Sequence, residues 1–533
     1  MRAAPRPAGA RRLCGAAAAV ALIAATGPRL RAQTGGTLAE RIQRVVDRPE
    51  FRHAMFGIEF YSLDSNRPIY TLNADKLFVP GSTTKLLTEG TALELMGADY
   101  QFHTRVYRTG SVDSHGTLTG DLVLLASGDP NLSARVRTDG TLAFENEDHA
   151  YDGDIHTRAV PGDPLLIIRK LAAQVAEHGI KHIVGRVLVD ATLFPSGDRE
   201  LGTGVVMAPI VVNDNLVDIL VGPGATTGSA ATIAPAPATS YVRIVNTVST
   251  SAAGTSANVQ LSSDTPDANG LHTVTISGTT PAGIAPILYG YRVPDPARFA
   301  EVTFTEALKE RGIAIDQPAT THAADFGSMR ASYLPANVVA EHVSLPLREE
   351  VRITLKVSQN LHASMTPSIV KAVLAPGDTS KTGFDLEHDF LKRAGLDLAG
   401  AQQADGAGGD AHFTPAFMVS FLAYMSHQKD SATFRNALPI LGRDGTLWNI
   451  QPSSPAVGHV YAKTGTFDVS DPLNRRMFVT GKGLAGYITT SDNRHLAFTV
   501  YVNNVSLALD PAAITAVVGQ ALGEIAAAAY EVR

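Results

Sequence analysis

The pattern of hydrophobic and polar positions predicts a mixed α and β fold from the start of the chain. Residues 37–55 repeat hydrophobic positions at helical spacing, whereas 56–64 and 68–75 alternate in the manner of two strands. The polar residues between the two strands predict a hairpin turn. Pro80-Gly81 then interrupts the pattern, and a helix is predicted to begin at Ser82.

The composition and the hydrophobic pattern of the sequence change between residues 106 and 335. A segment at about 223–290 is rich in Thr, Ser, Ala and Gly, and its short alternating runs predict a small β-rich module. The other elements predicted here are a strand pair at 117–132, helices at 164–180 and 294–313, and a strand at 182–194. The change indicates a large mixed and β-rich insertion.

The C-terminal part returns to the earlier mixed pattern. Predicted helices lie near 347–373, 385–395, 414–428 and 509–530, and predicted strands lie at 457–464, 477–490 and 494–503. With the early hairpin these strands make five, which favours one sheet flanked by helices. We therefore predict a discontinuous α/β domain, formed by 33–105 and 336–533 and interrupted by 106–335.

Residues 1–32 predict an export signal, a signal peptide that is removed. Four arginines precede an apolar run from Leu13 to Ala25, and 13 helical residues span only about 20 Å, which is short for crossing a bilayer. An uncleaved N-terminal anchor is the alternative, and a twin-arginine signal finds little support. Ala25 and Ala32 are both plausible cleavage sites. We expect an exported, periplasmic protein.

Composition narrows the possible chemistry. The only cysteine, Cys14, lies in the export signal, so a disulfide framework, a thiol nucleophile and a cysteine metal site are excluded from the mature chain. The formal charge of −6, which becomes −12 on cleavage after Ala32, argues against nucleic-acid binding. Asp148, Asp152 and Asp154 hint at a cation loop, but their spacing matches no metal loop that we recognise.

Ser82 and Lys85 form the first candidate catalytic pair. At this spacing the serine hydroxyl and the lysine amine lie on one face of the predicted helix. A serine needs a base to remove its proton, and a lysine can act as that base once burial lowers its pKa. Because such a pair also arises by chance on solvated helix faces, it is informative only together with further motifs.

Ser358-Gln359-Asn360 is the second candidate motif. It is predicted to lie in a loop between helical stretches, where the Ser358 hydroxyl can relay a proton to a leaving group. Asn360 can position Lys85 and a substrate carbonyl. On its own this tripeptide would be an ordinary polar helix cap.

The third motif is Lys463-Thr464-Gly465-Thr466, at the end of an apolar strand. A cationic lysine and a threonine hydroxyl on an edge strand can bind a substrate carboxylate, and the glycine allows close approach of the substrate backbone. The N–H groups of Thr466 and Ser82 can form an oxyanion hole. A second Lys-Thr-Gly, at Lys381, follows a turn-forming stretch and precedes a helix, so the strand-borne copy is the predicted site.

This ordered set of motifs is the signature of penicillin-binding proteins and serine β-lactamases. The 276 residues between Ser82 and Ser358 are too many for a compact class A β-lactamase, and no Glu-x-x-Leu-Asn element is present. The chain resembles the D-alanyl-D-alanine carboxypeptidases/endopeptidases among the class C low-molecular-mass penicillin-binding proteins (the DacB type, peptidase family S13). The resemblance covers nearly the whole mature chain, with PGSTTKLLT, GDLVLLASGDPNL, VSQNLHASM and AKTGT in order.

The resemblance implies a fold, an activity and roles for residues. The fold is a penicillin-binding or β-lactamase-like transpeptidase domain with a five-stranded antiparallel sheet and inserted domains. The activity is cleavage of D-Ala-D-Ala peptides of peptidoglycan without a metal or organic cofactor, with β-lactams as covalent inhibitors. The implied catalytic residues are Ser82, Lys85, Ser358, Asn360 and Lys463, and the implied substrate-binding residues are Thr464, Gly465 and Thr466.

The chain departs from the family pattern in two places. Residues 405–410 lack both hydroxyls of the usual Asp-Gly-Ser-Gly-Leu-Ser block, and 467–483 intervene before the strand that usually follows the third motif. Two other functions therefore stay open: a serine β-lactamase or esterase on the same scaffold, and a non-catalytic cell-wall binding protein. Asp444-Gly445-Thr446 is interpreted as a turn rather than a catalytic element.

Overall fold

Five antiparallel strands form a sheet in which the N-terminal hairpin pairs with strands from the C-terminal part. The computed structural model describes residues 36–133, 135–317 and 324–531, so the predicted export signal lies outside the described residues. The strands follow the order Val460–Asp471, Arg476–Thr489, His495–Leu507, Met55–Ser62 and Arg67–Leu72. The predicted sheet of five strands is therefore confirmed.

The sheet is covered on both faces, which explains why its central strands are hydrophobic at nearly every position. On one face Phe498 and Val500 pack with the helices Leu38–Val46 and Gln520–Tyr530. On the other face Ala497 and Tyr501 belong to a second core that includes the helix beginning at Thr84.

The second core contains the helices that position the predicted motifs. These helices are Thr84–Met96, Leu347–Val357, Asn360–Leu374, Gly383–Arg393, Pro415–Ser426 and Ser431–Asn436. The single helical stretch predicted at 347–373 is in fact two helices. They are separated at Ser358, whose φ of 61° is left-handed and ends the first helix.

The N-terminal helix is shorter than predicted. It spans Leu38–Val46 and begins with a capping box between Thr37 and Glu40. It ends at Asp47, and Pro49 then begins a short 3₁₀ turn. At the other end of the chain, the helix predicted at 509–530 is a π-helical segment, Ile514–Gly519, followed by Gln520–Tyr530.

The strands between residues 103 and 343 form separate, smaller sheets. One has the order Val338–Val343, His103–Arg108, Leu122–Leu125 and Val187–Asp190, and another has the order Ala314–Ile315, His182–Ile183, Thr117–Thr119 and Ser111–Val112. The predicted strand pair at 117–132 is wrong, because its two strands lie in different sheets. The predicted strand at 182–194 is likewise split between the same two sheets. Gly120 and Gly185 are in contact where these two segments pass from one sheet to the other.

The segment predicted to be β-rich consists mainly of strands in the structure. One three-stranded sheet has the order Thr232–Ala236, Leu216–Gly222 and Ile287–Arg292. A second three-stranded sheet has the order Val242–Ser251, His272–Pro281 and Asn258–Pro266. The helices Leu166–Glu177 and Pro296–Glu310 pack with this part of the chain. The division into a split domain and an insertion at 106–335 stays a prediction. Among the residues that the structure describes, no helix has the length and hydropathy needed to cross a membrane.

Candidate active site

The start of the Ser82 helix and the strand that carries the third motif are in backbone contact. A Cβ atom on Gly465 would lie 2.0 Å from the Pro80 carbonyl oxygen and 3.0 Å from the Ser82 nitrogen. A Cβ atom on Gly81, whose φ is 52°, would lie 2.5 Å from the Thr466 nitrogen. Both positions therefore require glycine, and this close approach brings the backbone at Ser82 and Thr466 near one another.

Lys85 lies at the centre of the candidate site. Its Nζ is 2.7 Å from Ser82 Oγ, 2.7 Å from Asn360 Oδ1 and 3.3 Å from Ser358 Oγ. It also donates to the carbonyl oxygen of Ala407 at 3.2 Å. The structure thus brings together one lysine and the polar groups of two motifs that are 276 residues apart in sequence.

The surroundings of Lys85 favour its neutral form. The side chain is fully buried, and no carboxylate among the described residues lies within 4 Å of its Nζ. Burial lowers the pKa of Lys85 to about 7, although the more distant charges of Glu200 and Asp405 oppose the shift. A substantial fraction of Lys85 is therefore unprotonated at neutral pH and can accept a proton from Ser82.

Lys463 is buried beside this group but does not join its hydrogen bonds. Within the described residues its single hydrogen bond goes to the carbonyl oxygen of Thr464, at 2.9 Å. Burial lowers the pKa of Lys463 well below its usual value, and the charges of Lys85 and Lys482 add to the effect. The Thr464 hydroxyl lies 2.8 Å from that of Thr446.

Ser358-Gln359-Asn360 occupies the junction between two helices, where the sequence predicts a loop. The Gln359 side chain accepts from the N–H of Leu361 at 2.8 Å and so caps the second helix. Its amide also donates to buried Asp148 at 2.6 Å. The motif is therefore fixed by a carboxylate from the stretch that the sequence treats as an insertion.

Residues 405–410, which lack the family's two hydroxyls, contact the site through their backbone. Asp405 accepts hydrogen bonds at 2.7 Å from the N–H groups of both Ala407 and Gly408, which shapes the loop. In this conformation Ala407 presents its carbonyl oxygen to Lys85. Sequence reasoning missed this contact, because a backbone carbonyl has no signature in the sequence.

Three further predictions concern a turn, a cation loop and the second Lys-Thr-Gly tripeptide. Asp444-Gly445-Thr446 leads into a 3₁₀ turn at Gly445–Leu447, in line with its interpretation as a turn, and Asp444 forms an ion pair with Lys356 at 2.7 Å. Asp152 forms an ion pair with Arg292, and the described residues contain no group of three or more His, Cys, Asp or Glu side chains arranged to hold a metal ion. Lys381-Thr382-Gly383 is found at a helix start rather than in the cleft.

Comparison with known proteins identifies the same family as the motifs do. The model of the D-Ala-D-Ala carboxypeptidase 3 (S13) family matches residues 38–522. The chain belongs to this family. Its membership confirms the predicted fold class and gives it serine-type D-Ala-D-Ala carboxypeptidase activity, as the sequence predicts.

Individual relatives resemble the chain along most of their length. A D-alanyl-D-alanine carboxypeptidase of Actinomadura sp. (strain R39) is 27% identical, over 96% of this chain and 88% of the relative. The D-alanyl-D-alanine carboxypeptidase DacB of Haemophilus influenzae is 23% identical, over 84% of each. The crystal structure of H. influenzae penicillin-binding protein 4 matches with a TM-score of 0.68 and 20% identity, over 93% of this chain and 99% of that one. The same H. influenzae protein complexed with a β-lactam matches with a TM-score of 0.63.

Proposed function

We propose that the chain removes the terminal D-Ala from peptidoglycan stem peptides through an acyl-enzyme on Ser82. The observation that carries the proposal is the distance of 2.7 Å between Ser82 Oγ and Lys85 Nζ, with Lys85 buried and its described hydrogen-bond partners all uncharged. A base whose pKa lies near 7 combines a useful neutral fraction with enough basicity to remove the serine proton.

The reaction follows from these positions. Neutral Lys85, assisted by Ser358 and Lys463, takes the Ser82 proton while Oγ bonds to the carbonyl carbon of the penultimate D-Ala. The N–H groups of Ser82 and Thr466 stabilise the oxyanion. The C–N bond then breaks, and the proton passes through Ser358 to the leaving D-Ala amine. Asn360 holds Lys85 in place during both steps through its hydrogen bond of 2.7 Å. Water hydrolyses the acyl-enzyme.

The same chemistry extends to two further substrates. When the leaving amine belongs to a cross-linked neighbouring stem, the reaction is endopeptidase cleavage. A β-lactam ring presents a strained amide to Ser82 and leaves a slowly hydrolysed acyl-enzyme. The Haemophilus relative solved with a β-lactam supports this part of the proposal. We infer a periplasmic location from this substrate, and the export signal predicted at residues 1–32 supports that inference.

A fluorescent penicillin tests the nucleophile. The wild-type protein should become covalently labelled, and Ser82→Ala should lose labelling completely because it removes the hydroxyl that lies 2.7 Å from Lys85 Nζ. Ser420→Ala is the matched control, since this exposed serine only bonds to the carbonyl of Ala416 in its own helix. Persistent labelling of Ser82→Ala would show that Ser82 is not the nucleophile.

A second measurement separates the proposal from its rivals. Cross-linked muropeptides incubated with the protein should release D-Ala, cleaved cross-links or both, as detected by mass spectrometry. Rapid nitrocefin turnover without an accumulating acyl-enzyme would instead favour a β-lactamase. Slow penicillin binding without any D-Ala release would favour a non-catalytic cell-wall protein.

A further inference from the structure

A second buried lysine lies beside the predicted substrate-binding hydroxyls. Lys482 is directly opposite Thr466 in the antiparallel pairing of Val460–Asp471 with Arg476–Thr489. Its Nζ donates to Thr466 Oγ1 at 2.5 Å. Since residues directly opposite in an antiparallel pair have Cβ atoms about 5 Å apart on one face of the sheet, Lys482 reaches the same part of the cleft as Thr466.

Lys482 forms no direct ion pair with a carboxylate in the part of the chain that the structure describes. Only 8% of the residue is exposed, yet no carboxylate among the described residues lies within 4 Å of its Nζ, and its single hydrogen bond goes to a neutral hydroxyl. Burial lowers the pKa of Lys482 to about 8, and the charge of Asp468 offsets this effect only in part. A buried cation whose direct partner is a neutral hydroxyl is costly, and the more distant Asp468 compensates only in part, so the arrangement favours an anion from outside the chain.

Lys463 is less suited to bind that anion. It is more deeply buried, its ammonium is directed to the carbonyl of Thr464, and burial holds its pKa well below the usual range. Thr466, in contrast, is exposed, so a ligand in the cleft can reach its hydroxyl and the ammonium bound to it. The two lysines therefore differ in what they can do.

We propose that Lys482, with the hydroxyl of Thr466, binds the terminal carboxylate of the substrate and the corresponding carboxylate of β-lactams. This inference rests on the proposed function and assigns a specificity residue to it. Lys482 lies within 467–483, the segment in which this chain departs from the family pattern. The segment thus provides a cation to the site in addition to extending two strands.

Carboxylate binding by Lys482 has a defined pH dependence. The folded-state pKa of Lys482 is lowered from 10.5 to about 8, so the cation is present below pH 8 and is lost as the pH rises through that value. Binding of a carboxylate substrate should therefore weaken above about pH 8. An arginine at this position stays charged throughout and removes that limb of the profile.

The test compares two peptides, one ending in D-Ala-D-Ala and the other carrying a C-terminal carboxamide. With Lys482→Met, KM for the free-acid peptide should rise roughly 10- to 100-fold, as expected when one charge-assisted hydrogen bond is lost, and kcat should change little. The carboxamide peptide should show no comparable change. Lys482→Arg should restore KM for the free acid and keep it low above pH 8, whereas the exposed Lys429→Met should match wild type in both assays.

The outcomes distinguish this inference from the proposed function. If saturating fluorescent penicillin does not label wild type at Ser82, the proposed function fails. If wild type is labelled but Lys482→Met affects both peptides equally, or lowers kcat rather than raising KM, only the role of Lys482 is overturned. If Lys482→Met does not fold, the test is the pH dependence of KM for the free-acid peptide in wild type and in Lys482→Arg. The same rise of KM above pH 8 in both proteins would refute the proposal.

Discussion

Lys-Thr-Gly occurs twice in this chain, and the two copies differ in almost every physical property. Lys463 is fully buried on a strand of the central sheet, and its pKa is lowered well below the usual value. The side chain of Lys381 is 43% exposed and lies 3.3 Å from Asp389. The first lysine is prepared for chemistry by its surroundings, whereas the second is an ordinary solvated cation.

The threonines and glycines of the two copies also differ in function. Thr382 caps the helix Gly383–Arg393 through a capping box with Asp385, whereas the Thr464 hydroxyl faces another threonine hydroxyl near the cleft. Both glycines are packed too tightly for a side chain, but against different partners. Gly383 packs on the carbonyl of Pro367 in a helix, and Gly465 packs on the turn just before Ser82. The comparison teaches that the motif acquires its chemistry from the groups that face it.

Replacing each lysine by methionine gives the largest expected difference between the copies. Lys463→Met should slow acylation of Ser82 by penicillin about 10²- to 10⁴-fold, the range for loss of a group that assists proton transfer. Lys381→Met should leave the rate unchanged, because it removes only an exposed ion pair. Stopped-flow or time-resolved labelling measures both rates. Equal rates in the two variants would show that the strand-borne copy has no part in the chemistry.

Replacing each glycine by alanine sharpens the comparison, because the closest contact is similar in length but the neighbouring segment differs. The added Cβ atoms would lie 2.0 Å from Pro80 O at position 465 and 1.9 Å from Pro367 O at position 383. Gly465→Ala should separate Thr466 from Ser82 and reduce acylation about 100-fold, as misplacement by about 1 Å does. Gly383→Ala should cost about 1–3 kcal/mol of stability while folded molecules acylate normally.

Two measurements on the same samples separate these effects. Thermal unfolding reports the stability of each variant, and the labelling rate per folded molecule reports the chemistry. A Gly383→Ala protein that is fully folded but slow to acylate would contradict the assignment of the helical copy to structure alone.

The comparison also shows which parts of the fold the sequence predicts. Hydrophobic alternation locates the central strands closely, so that the prediction of 494–503 corresponds to His495–Leu507. The strand predicted at 457–464 continues to Asp471, because residues 468–471 pair with Arg476–Val479 although 468–470 are exposed and show no buried hydrophobic pattern. Strand length outside the core depends on pairing, which single-sequence periodicity does not report.

The candidate site was predicted as far as side chains in known motifs can reveal it. Ser82, Ser358 and Asn360 each lie within hydrogen-bond reach of Lys85, as their motifs imply. The contacts of Lys85 with the Ala407 carbonyl and of Gln359 with Asp148 were not predicted. The first is made by backbone, and the second joins residues 211 positions apart, so neither leaves a local pattern.

The smallest expected effect concerns the two threonines. Thr382→Ala removes a helix N-cap and should lower the free energy of unfolding by about 1 kcal/mol, as loss of such caps does, without changing KM for D-Ala-D-Ala peptides. Thr464→Ala should instead raise KM with less effect on stability, because its hydroxyl bonds to Thr446 at the cleft rather than to a helix end. Urea unfolding and steady-state kinetics on both variants measure the two quantities. Thr382→Ser preserves the capping oxygen and should recover the lost stability, so a Thr382→Ser protein as unstable as Thr382→Ala would mean that the threonine methyl group, rather than the cap, stabilises this helix.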